Sequence, residues 1–315
     1  MERLDVTIRE VEEAVPVVRE VARRTPMVPF EDPEGHAVLL KLESLQRLGA
    51  FKIRGTWNRI ARLTPEERRH GVTTLSSGNH GRAVAWSARR LGLRCVVRVP
   101  EGAAPQKVAA IRAEGAEVVP VPRGELIRIH EEEGWREWPE TFLHPFAHPA
   151  MIAGNGTVGL EIAEDAPDVR TVLVPVGGGG LAAGIAIALK ARLPRAEVHG
   201  VQAEGAATLP TALETRRGFH LDRPDTIADG IRVGIMLPNM VDLLARTLDG
   251  SLLVSDGEIR GAMRRLALEM KVIAEPAGAA AFAAWARHRE SLEPPVAVVI
   301  SGGNVDPALL AEVTA

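Results

Sequence analysis

Cysteine, tyrosine and lysine are scarce or absent in this sequence of 315 residues. The single cysteine, Cys95, excludes an internal disulfide framework and a zinc site built from several thiolates, and it is typical of a reducing compartment. Tyrosine is absent, and aromatic residues make up only 3% of the chain. Mechanisms that need a phenol as the acid, or aromatic rings for stacking nucleic-acid bases, are therefore disfavoured. Only five of the 38 basic residues are lysines.

A strong net charge and a membrane-spanning segment are also lacking. The formal net charge is −3 and the isoelectric point is near 6.3, which argues against nucleic acid or an anionic membrane as a partner. Residues 171–189 carry no charge and could span a bilayer by length alone, but Pro175 and the glycines at 177–180 divide them into a strand, a turn and a helix. The charged N-terminus does not resemble a signal peptide. We expect a cytoplasmic protein.

Apolar strands alternate with helical patterns along most of the chain. Hydrophobic residues make up 46% of the sequence and charged residues 25%, as in a folded globular protein. Short apolar segments predict strands at 38–42, 73–75, 95–99, 117–120, 142–143, 172–176, 198–201 and 296–300. Helical patterns lie between them, for example at 82–91, 106–113, 154–164 and 181–193. This alternation predicts an α/β protein with open, mostly parallel sheets and helices on both faces.

Four loops at strand or helix ends carry groups that could bind a ligand, since ligands gather at the carboxyl ends of parallel strands. The first contains Lys52, which begins a helical segment between Phe51 and Ile53. A lysine amine in apolar surroundings loses some charge stabilisation and becomes a better nucleophile toward carbonyl groups. Taken alone, Lys52 is better explained as a surface lysine at the start of a helix.

The second loop, residues 76–81, directly follows an apolar strand and opens a helix. It contains Ser76, Ser77, Asn79 and His80. Free backbone N–H groups at a helix start favour an anion, and the hydroxyls and the amide can add hydrogen bonds. The loop therefore predicts a pocket for a substrate carboxylate, although a helix cap with a spare histidine is an equal alternative.

The third and fourth loops differ in what they could hold. Residues 177–180 are four consecutive glycines that follow the most apolar strand, and their N–H groups could close on a phosphate. The run lacks the lysine and hydroxyl of a P-loop and the spaced glycines of a dinucleotide fingerprint. The fourth loop, residues 301–306, begins with Ser301, whose hydroxyl could reach a ring nitrogen. By itself it is also consistent with a simple turn.

Together and in this order, the four loops resemble the signature motifs of fold-type II pyridoxal-phosphate enzymes. The chain is most similar to the branch that contains threonine dehydratases and serine racemases. Further matching motifs lie at residues 41–46, 152–157, 227–231 and 275–279, so the resemblance extends from Lys41 to Asp306. It implies a two-lobed protein that binds pyridoxal 5′-phosphate and an amino-acid substrate.

The resemblance implies a role for each matched residue. Lys52 would bind the cofactor as a Schiff base and later shuttle the substrate α-proton, with Phe51 packed on the ring and Ser301 facing the pyridine nitrogen. The cofactor phosphate would lie against the backbone of Gly177, Gly178, Gly179, Gly180 and Leu181. The substrate carboxylate would be held by Ser76, Ser77, Asn79 and His80, and Asn79 would also bond the cofactor 3′-oxygen.

The implied reaction is a β-elimination from a β-hydroxy amino acid. A serine hydroxyl such as that of Ser301 cannot keep a pyridine nitrogen protonated as an aspartate can, so the ring is a weaker electron sink. Loss of the β-hydroxyl as the α-proton departs is then favoured over a long-lived carbanion. The resemblance thus implies conversion of L-threonine to 2-oxobutanoate and ammonia, and of L-serine to pyruvate.

Two other classes of function remain open. Racemisation or another reaction of the same fold is one, because Ser77 occupies the position from which racemase-like members exchange a proton on the face opposite Lys52. A non-catalytic amino-acid-binding module is the other, and the intact Lys52 with all four loops argues against it.

Two departures from the family pattern concern Ala50 and Glu204. The family usually has serine before the Phe-Lys pair, where this chain has Ala50; no catalytic group is lost. A divalent cation such as Mg²⁺ or Ca²⁺ would have Glu204 as a ligand and a backbone carbonyl of Thr208, but Pro210 stands where an aspartate ligand is expected. We prefer to interpret Glu204 as an exposed carboxylate at a strand end.

The resemblance also predicts how the chain is divided. A small lobe at residues 47–147 would be inserted into a large lobe formed by residues 1–46 and 148–315, with the cofactor between them. Because the chain stops at Ala315, we expect no C-terminal regulatory domain and no feedback control by isoleucine through one; a role in isoleucine biosynthesis stays open. We expect a homodimer or a homotetramer.

Overall fold

Two mostly parallel sheets and one small hairpin form the β-structure of the protein. The structure is a computed structural model that describes residues 3–122 and 124–315. Within these ranges the strands are β1 (Met27–Glu31), β2 (Ala37–Lys41), β3 (Val72–Leu75), β4 (Cys95–Pro100), β5 (Glu117–Val121), β6 (Thr141–Phe142), β7 (Thr171–Pro175), β8 (Glu197–Ala203), β9 (Phe219–His220), β10 (Ile235–Met236), β11 (Gly250–Val254) and β12 (Val296–Val299).

The larger sheet has six strands in the order β1-β2-β12-β7-β8-β11, and the smaller has four in the order β5-β4-β3-β6. Every neighbouring pair is parallel except β1 and β2, which are antiparallel at the edge of the larger sheet. The third unit is the antiparallel hairpin of β9 and β10. The predicted α/β class with mostly parallel sheets is therefore confirmed. All four strands of the smaller sheet lie within residues 72–142, while the lobe boundaries at 47 and 147 stay a prediction.

Helices connect and cover these strands. In the described ranges they are α1 (Ile8–Arg19), α2 (Lys52–Ile60), α3 (Pro65–Arg68), α4 (Asn79–Arg90), α5 (Pro105–Ala113), α6 (Glu125–Glu131), α7 (Pro149–Asp165), α8 (Gly180–Arg192), α9 (Leu209–Thr215), α10 (Pro238–Thr247), α11 (Asp256–Leu268), α12 (Pro276–His288) and α13 (Pro307–Thr314). None of the helices in the described part of the chain is both long and apolar enough to cross a membrane.

The core lies on both faces of the larger sheet. One face packs against α1, α7, α8 and α10, and the opposite face packs against α11, α12 and α13. Within β7, Val172 and Val174 belong to the first of these clusters and Leu173 to the second. Burial on both faces explains why this strand is continuously apolar rather than alternating. A third cluster packs α2 and α4 on the smaller sheet.

The eight predicted strands are confirmed to within two residues at each end. Strands β1 and β11 were not predicted, because both lie at edges of the larger sheet and are only partly buried, so their apolar pattern is weak. Helix α7 begins at Pro149, five residues before the predicted start. Glycines lie inside this helix, and a Cβ on Gly156 would come 2.8 Å from the carbonyl oxygen of Gly184. These glycines therefore serve the close contact between α7 and α8.

A buried ion network joins α2 to the larger sheet and to α7. The guanidinium of Arg54, which is only 1% exposed, bonds both carboxylate oxygens of Glu43 at 2.7 and 2.8 Å. It also bonds both carboxylate oxygens of Glu161 at 2.7 and 2.9 Å. Lys41 in β2 lies 2.7 Å from Glu161. Although burial opposes ionisation of Glu43, the paired Arg54 holds the pKa of that carboxyl below its usual value.

Substitution of Arg54 tests this network. Arg54→Met should lower the free energy of unfolding by about 3–5 kcal/mol, because it leaves the buried carboxylates of Glu43 and Glu161 without their main partner. Urea unfolding followed by circular dichroism measures the change. The matched control is Arg9→Met, which removes an exposed arginine paired with Glu13 and should leave the unfolding midpoint unchanged. Equal midpoints for the two variants would contradict the importance of the network.

Candidate active site

A cavity of about 910 Å³ collects loops from both sheets. The loops that follow β3, β7 and β12 all line it, as does the start of α2. The residues that the sequence singled out and that line this cavity are Phe51, Lys52, Ser76, Ser77, Asn79, His80, Gly177, Gly178, Gly179, Gly180, Leu181 and Ser301. The structure thus brings together every predicted cofactor- and substrate-binding residue, and leaves out Glu204.

Lys52 is the first residue of α2, and its position is set by backbone pairing with the end of the larger sheet. The N–H of Phe51 donates to the carbonyl oxygen of Ser301 at 3.1 Å, and Ala50 bridges to Gly302. The amine Nζ donates to the carbonyl oxygen of Pro145 at 3.1 Å and lies 5.0 Å from the centre of the Phe51 ring. The amine therefore has one neutral acceptor and no carboxylate partner in the described residues.

Burial gives this amine the reactivity that a nucleophile needs. It lowers the pKa of Lys52 to about 8, against a smaller opposing effect of the Glu275 carboxylate. An ordinary lysine side chain has a pKa above 10, so a far larger fraction of Lys52 is neutral near pH 7. A neutral amine can attack a carbonyl group and can accept a proton.

The loop after β3, residues 76–81, is the one predicted to bind the substrate carboxylate and is called the carboxylate loop below. Its two serine hydroxyls can both donate to a ligand. The Ser76 hydroxyl accepts from the N–H of Gly78 at 3.3 Å and can still donate, and that of Ser77 has no partner in the described residues. Helix α4 starts at Asn79, so the N–H groups of its first turn also face this region without helical partners. Hydroxyls and a helix start together suit a carboxylate.

The ring of His80 is occupied by the protein. Its Nε2 lies 3.1 Å from the carbonyl oxygen of Leu143, and its Nδ1 lies 3.4 Å from the hydroxyl of Thr56. Burial, with the nearby Lys52, lowers the pKa of His80 to about 3, so the ring is neutral. Any contact of His80 with a substrate carboxylate would therefore use its backbone N–H.

Asn79 belongs to a chain of hydrogen bonds that crosses the cavity. Its side-chain amide donates to Glu275 at 2.7 Å and accepts from the side chain of Asn304 at 2.8 Å. Burial raises the pKa of Glu275 to about 7, which the bond from Asn79 partly offsets. The second N–H of the Asn79 amide remains available for a ligand oxygen.

The glycine loop between β7 and α8 is shaped for a phosphate. In the described part of the chain, the backbone N–H groups of residues 177–179 donate to no protein acceptor, and α8 begins at Gly180. Gly179 has φ +91°, a left-handed conformation that favours glycine. A Cβ on Gly178 would overlap with the ring of Phe146. Free N–H groups at a helix start and a backbone that approaches its neighbour closely fit a phosphate group.

Ser301 completes the set at the end of β12. It is 4% exposed, and its hydroxyl has no hydrogen-bond partner in the part of the chain that the structure describes. A hydroxyl that lines the cavity can donate to a ring nitrogen. With Lys52, the glycine loop and Asn79 around the same cavity, the residues present fit pyridoxal phosphate.

The metal ligand suggested by the sequence lies elsewhere. Glu204 is half exposed and pairs with Arg287 at 3.4 Å. Within the described residues, the group with metal-ligand spacing is Asp32, Glu34 and His36, and Arg289 already pairs with both of its carboxylates. The exposed position of Glu204 agrees with its interpretation as a carboxylate at a strand end, and a divalent cation there stays the less favoured alternative.

Several residues of the cavity wall were not predicted as site residues. Glu275 begins the matched motif at residues 275–279, and its carboxylate accepts a hydrogen bond from Asn79. Lys107 in α5 forms an ion pair with Asp229 at the wall of the cavity. His130 in α6 also lines the cavity. A glutamate within the matched motif was the one available signal; the others depend on contacts between distant segments.

Comparisons with known proteins agree with this geometry. Residues 18–302 match the family model described as pyridoxal-phosphate dependent enzyme. The chain is 38% identical over 312 residues to an L-threonine ammonia-lyase of Thermotoga maritima, which covers 96% of this chain and 76% of that protein. The crystal structure of a threonine deaminase from T.th. is 37% identical with a TM-score of 0.86, covering 95% of this chain and 99% of that one. A serine racemase from Dictyostelium discoideum is 32% identical with a TM-score of 0.85, covering 96% and 99%.

A methyl group on the glycine loop tests the phosphate site. Gly178→Ala should weaken binding of pyridoxal phosphate about tenfold, because the new Cβ overlaps with Phe146 and the loop must shift. Absorbance titration of the cofactor-free protein measures the affinity. Gly261→Ala is the control, since a Cβ there meets open space on α11. An affinity equal to that of the control would show that this loop does not hold the phosphate.

Proposed function

The chain belongs to the family of pyridoxal-phosphate dependent enzymes, and we propose that it is a threonine ammonia-lyase. Its fold is that of the fold-type II members, and its cofactor is pyridoxal 5′-phosphate. In the proposed reaction L-threonine first loses water; the released enamine then takes up water, which displaces ammonia, so that the net products are 2-oxobutanoate and ammonia. L-serine, which differs by one methyl group, would give pyruvate. The observation that carries the proposal is the cavity that unites Lys52, the glycine loop and the carboxylate loop. The similarity to the Thermotoga maritima L-threonine ammonia-lyase supports the choice of substrate.

The proposed contacts with the cofactor come from several parts of the cavity lining. Lys52 would bind it covalently, Phe51 would pack beside its ring, Asn79 would bond its 3′-oxygen, and residues 177–181 would hold its phosphate. When bound, the cofactor supplies an electron-accepting ring that stabilises negative charge at the substrate α-carbon. The protein then has to move one proton at that carbon, orient the substrate and allow the β-hydroxyl to leave.

Lys52 is the residue we propose to move the α-proton. The amine would be free once the substrate replaced it on the cofactor, and it has no carboxylate partner in the described residues. A pKa near 8 lets the amine accept a proton and later release it at neutral pH. The carbonyl oxygen of Pro145, 3.1 Å from Nζ, orients the amine without neutralising it.

The substrate carboxylate would bind at the start of α4. The hydroxyls of Ser76 and Ser77 and the backbone N–H groups of Asn79 and His80 offer several donors and no charge. Ser301, at the position proposed for the ring nitrogen, can donate a hydrogen bond but cannot protonate the ring. A weaker electron sink favours immediate loss of the β-hydroxyl, which fits an ammonia-lyase.

Racemisation of serine is a second candidate function. The hydroxyl of Ser77 lines the cavity and has no hydrogen-bond partner in the described residues. A hydroxyl on the face of the substrate opposite Lys52 would deliver a proton to that face. The similarity to the Dictyostelium serine racemase favours the same possibility. A homodimer or homotetramer and a cytoplasmic location also stay part of the proposal.

Removal of the Lys52 amine tests the main proposal. Lys52→Ala should abolish 2-oxobutanoate formation from L-threonine, since both cofactor attachment and proton transfer need the amine. Borohydride reduction of the unmutated holoenzyme, followed by peptide mass spectrometry, should locate the cofactor on Lys52 among the five lysines. Lys190→Ala, which removes a surface lysine paired with Asp249, is the control. Cofactor attached to another lysine, or no 2-oxobutanoate from the unmutated enzyme, would refute the proposal.

The balance between elimination and racemisation is tested at Ser77. Ser77→Ala should suppress D-serine formation while most pyruvate formation from L-serine remains, because elimination needs a base on one face only. Both products are measured in the same reaction. If Ser77 only lines the carboxylate pocket, both activities should fall together with a raised apparent KM. An unchanged product ratio would count against a proton-donor role.

A further inference from the structure

Helix α6 forms a wall of the cavity to which no role has yet been assigned. Leu126 and His130, four residues apart on this helix, both line the cavity. Residues spaced by four lie on the same face of a helix. The wall therefore presents an apolar side chain and an imidazole side by side.

Packing holds the imidazole of His130 in place. Its ring lies among Trp135, His144 and Phe146, with ring-centre distances of 6.5, 5.6 and 6.2 Å. His144 in turn accepts the N–H groups of Phe146 and Ala147 at 3.3 and 2.8 Å, which fixes the turn that carries Phe146. The ring of His130 therefore has little freedom to rotate away from the cavity.

The hydrogen bonding of His130 shows which nitrogen can serve a ligand. Its Nδ1 is fully enclosed and has no partner in the described residues. Burial lowers the pKa of His130 to about 4, so the ring is neutral at pH 7 and carries one proton. An enclosed nitrogen without an acceptor is a poor place for that proton. The proton therefore belongs on Nε2, the ring nitrogen of this cavity-lining residue that is not enclosed among protein atoms.

The wall lies beside the place where the substrate side chain must be. His130 stacks on Phe146, and Phe146 fills the space beside Gly178 in the phosphate loop. Pro145, the residue before Phe146, accepts the bond from Lys52. On its other side, the wall carries Leu126, which packs in the cluster of Leu75, the residue before Ser76 in the loop proposed for the substrate carboxylate. A substrate held between Lys52 and that loop would therefore have this wall beside its side chain.

We propose that His130 and Leu126 select the substrate side chain: Nε2–H of His130 donates a hydrogen bond to the β-hydroxyl oxygen, and Leu126 contacts the β-methyl group. Both are specificity-determining residues, and the inference rests on the proposed reaction with β-hydroxy amino acids. A donor and an apolar group at fixed positions favour one configuration of the β-carbon. L-threonine and L-allo-threonine exchange the positions of hydroxyl and methyl, so the wall distinguishes them.

The test compares kcat/KM of the holoenzyme for four amino acids: L-threonine, L-allo-threonine, L-serine and β-chloro-L-alanine. His130→Phe keeps the stacking on Phe146 but removes the donor. This variant should lower kcat/KM about tenfold for L-threonine and L-serine. For β-chloro-L-alanine, which needs no hydroxyl contact, kcat/KM should stay within about twofold of the value for the unmutated enzyme. The preference for L-threonine over L-allo-threonine should shrink by the same factor. His130→Gln, which restores an N–H donor, should recover part of the loss.

A second variant makes the test independent of the histidine. Leu126→Ala should lower kcat/KM for L-threonine about tenfold. The kcat/KM for L-serine should stay unchanged, because serine has no methyl group for Leu126 to contact. Trp138→Phe is the control and should leave kcat/KM for all four amino acids unchanged, since Trp138 packs on Phe142 and does not line the cavity. Cofactor absorbance of each purified variant verifies that it is folded.

The outcomes separate this inference from the proposed function. If the unmutated enzyme converts L-threonine but His130→Phe lowers kcat/KM by the same factor for all four amino acids, the histidine is only structural and the inference is wrong. The inference is also wrong if His130→Phe changes none of the four kcat/KM values. If the unmutated enzyme releases chloride from β-chloro-L-alanine but converts neither threonine isomer nor serine, the proposed function itself fails, and the inference with it.

Discussion

The position of α2 depends on the buried guanidinium of Arg54. This one group bonds Glu43 beside the larger sheet and Glu161 in α7, with four bonds of 2.7 to 2.9 Å. Arg54 lies only two residues after Lys52, so these contacts hold the first turn of α2, while the pairing of Phe51 with Ser301 and the bond to Pro145 orient the amine itself. Buried ion pairs contribute little net stability compared with apolar packing, but they tolerate few alternative arrangements. Here the fixed arrangement of the ion pairs holds the start of α2 in one position beside the cavity.

Within the described residues no carboxylate pairs with the Lys52 amine, and the nearby Glu275 has a pKa of about 7, so that it is only partly ionised at neutral pH. Burial keeps the rings of His80, His130 and His144 neutral, because it lowers the pKa of each one below its usual value. The substrate carboxylate would meet hydroxyls and N–H groups, and the cofactor ring would meet the hydroxyl of Ser301. Neutral donors can bind an anion without forming an ion pair with the Lys52 amine. A hydroxyl such as that of Ser301 would leave the cofactor ring a weaker electron sink than an aspartate would. Elimination of a β-hydroxyl suits such an environment.

Close backbone approach explains the glycines on both sides of the cavity. In the phosphate loop, Gly178 makes room for Phe146, which in turn supports His130. Between α7 and α8, Gly156 and Gly184 let the helices touch directly. The glycine loop proposed to hold the phosphate and the wall formed by Leu126 and His130 are therefore parts of one packed unit. A substitution in the glycine loop is therefore expected to shift Phe146 and with it His130, and a substitution at His130 to shift Phe146 against the loop.

The sequence by itself determined the α/β class, eight of the strands and the loops that carry Lys52, Ser76, the four glycines and Ser301. These features are local: they follow from apolar periodicity and from residue types that only certain turns accept. Only the tertiary structure decided that Asn79 bonds Glu275 and Asn304, 196 and 225 residues away. The same is true of the occupied ring of His80 and of the place of His130 on the cavity wall. Such contacts arise from packing between distant segments, and no short pattern in the chain records them.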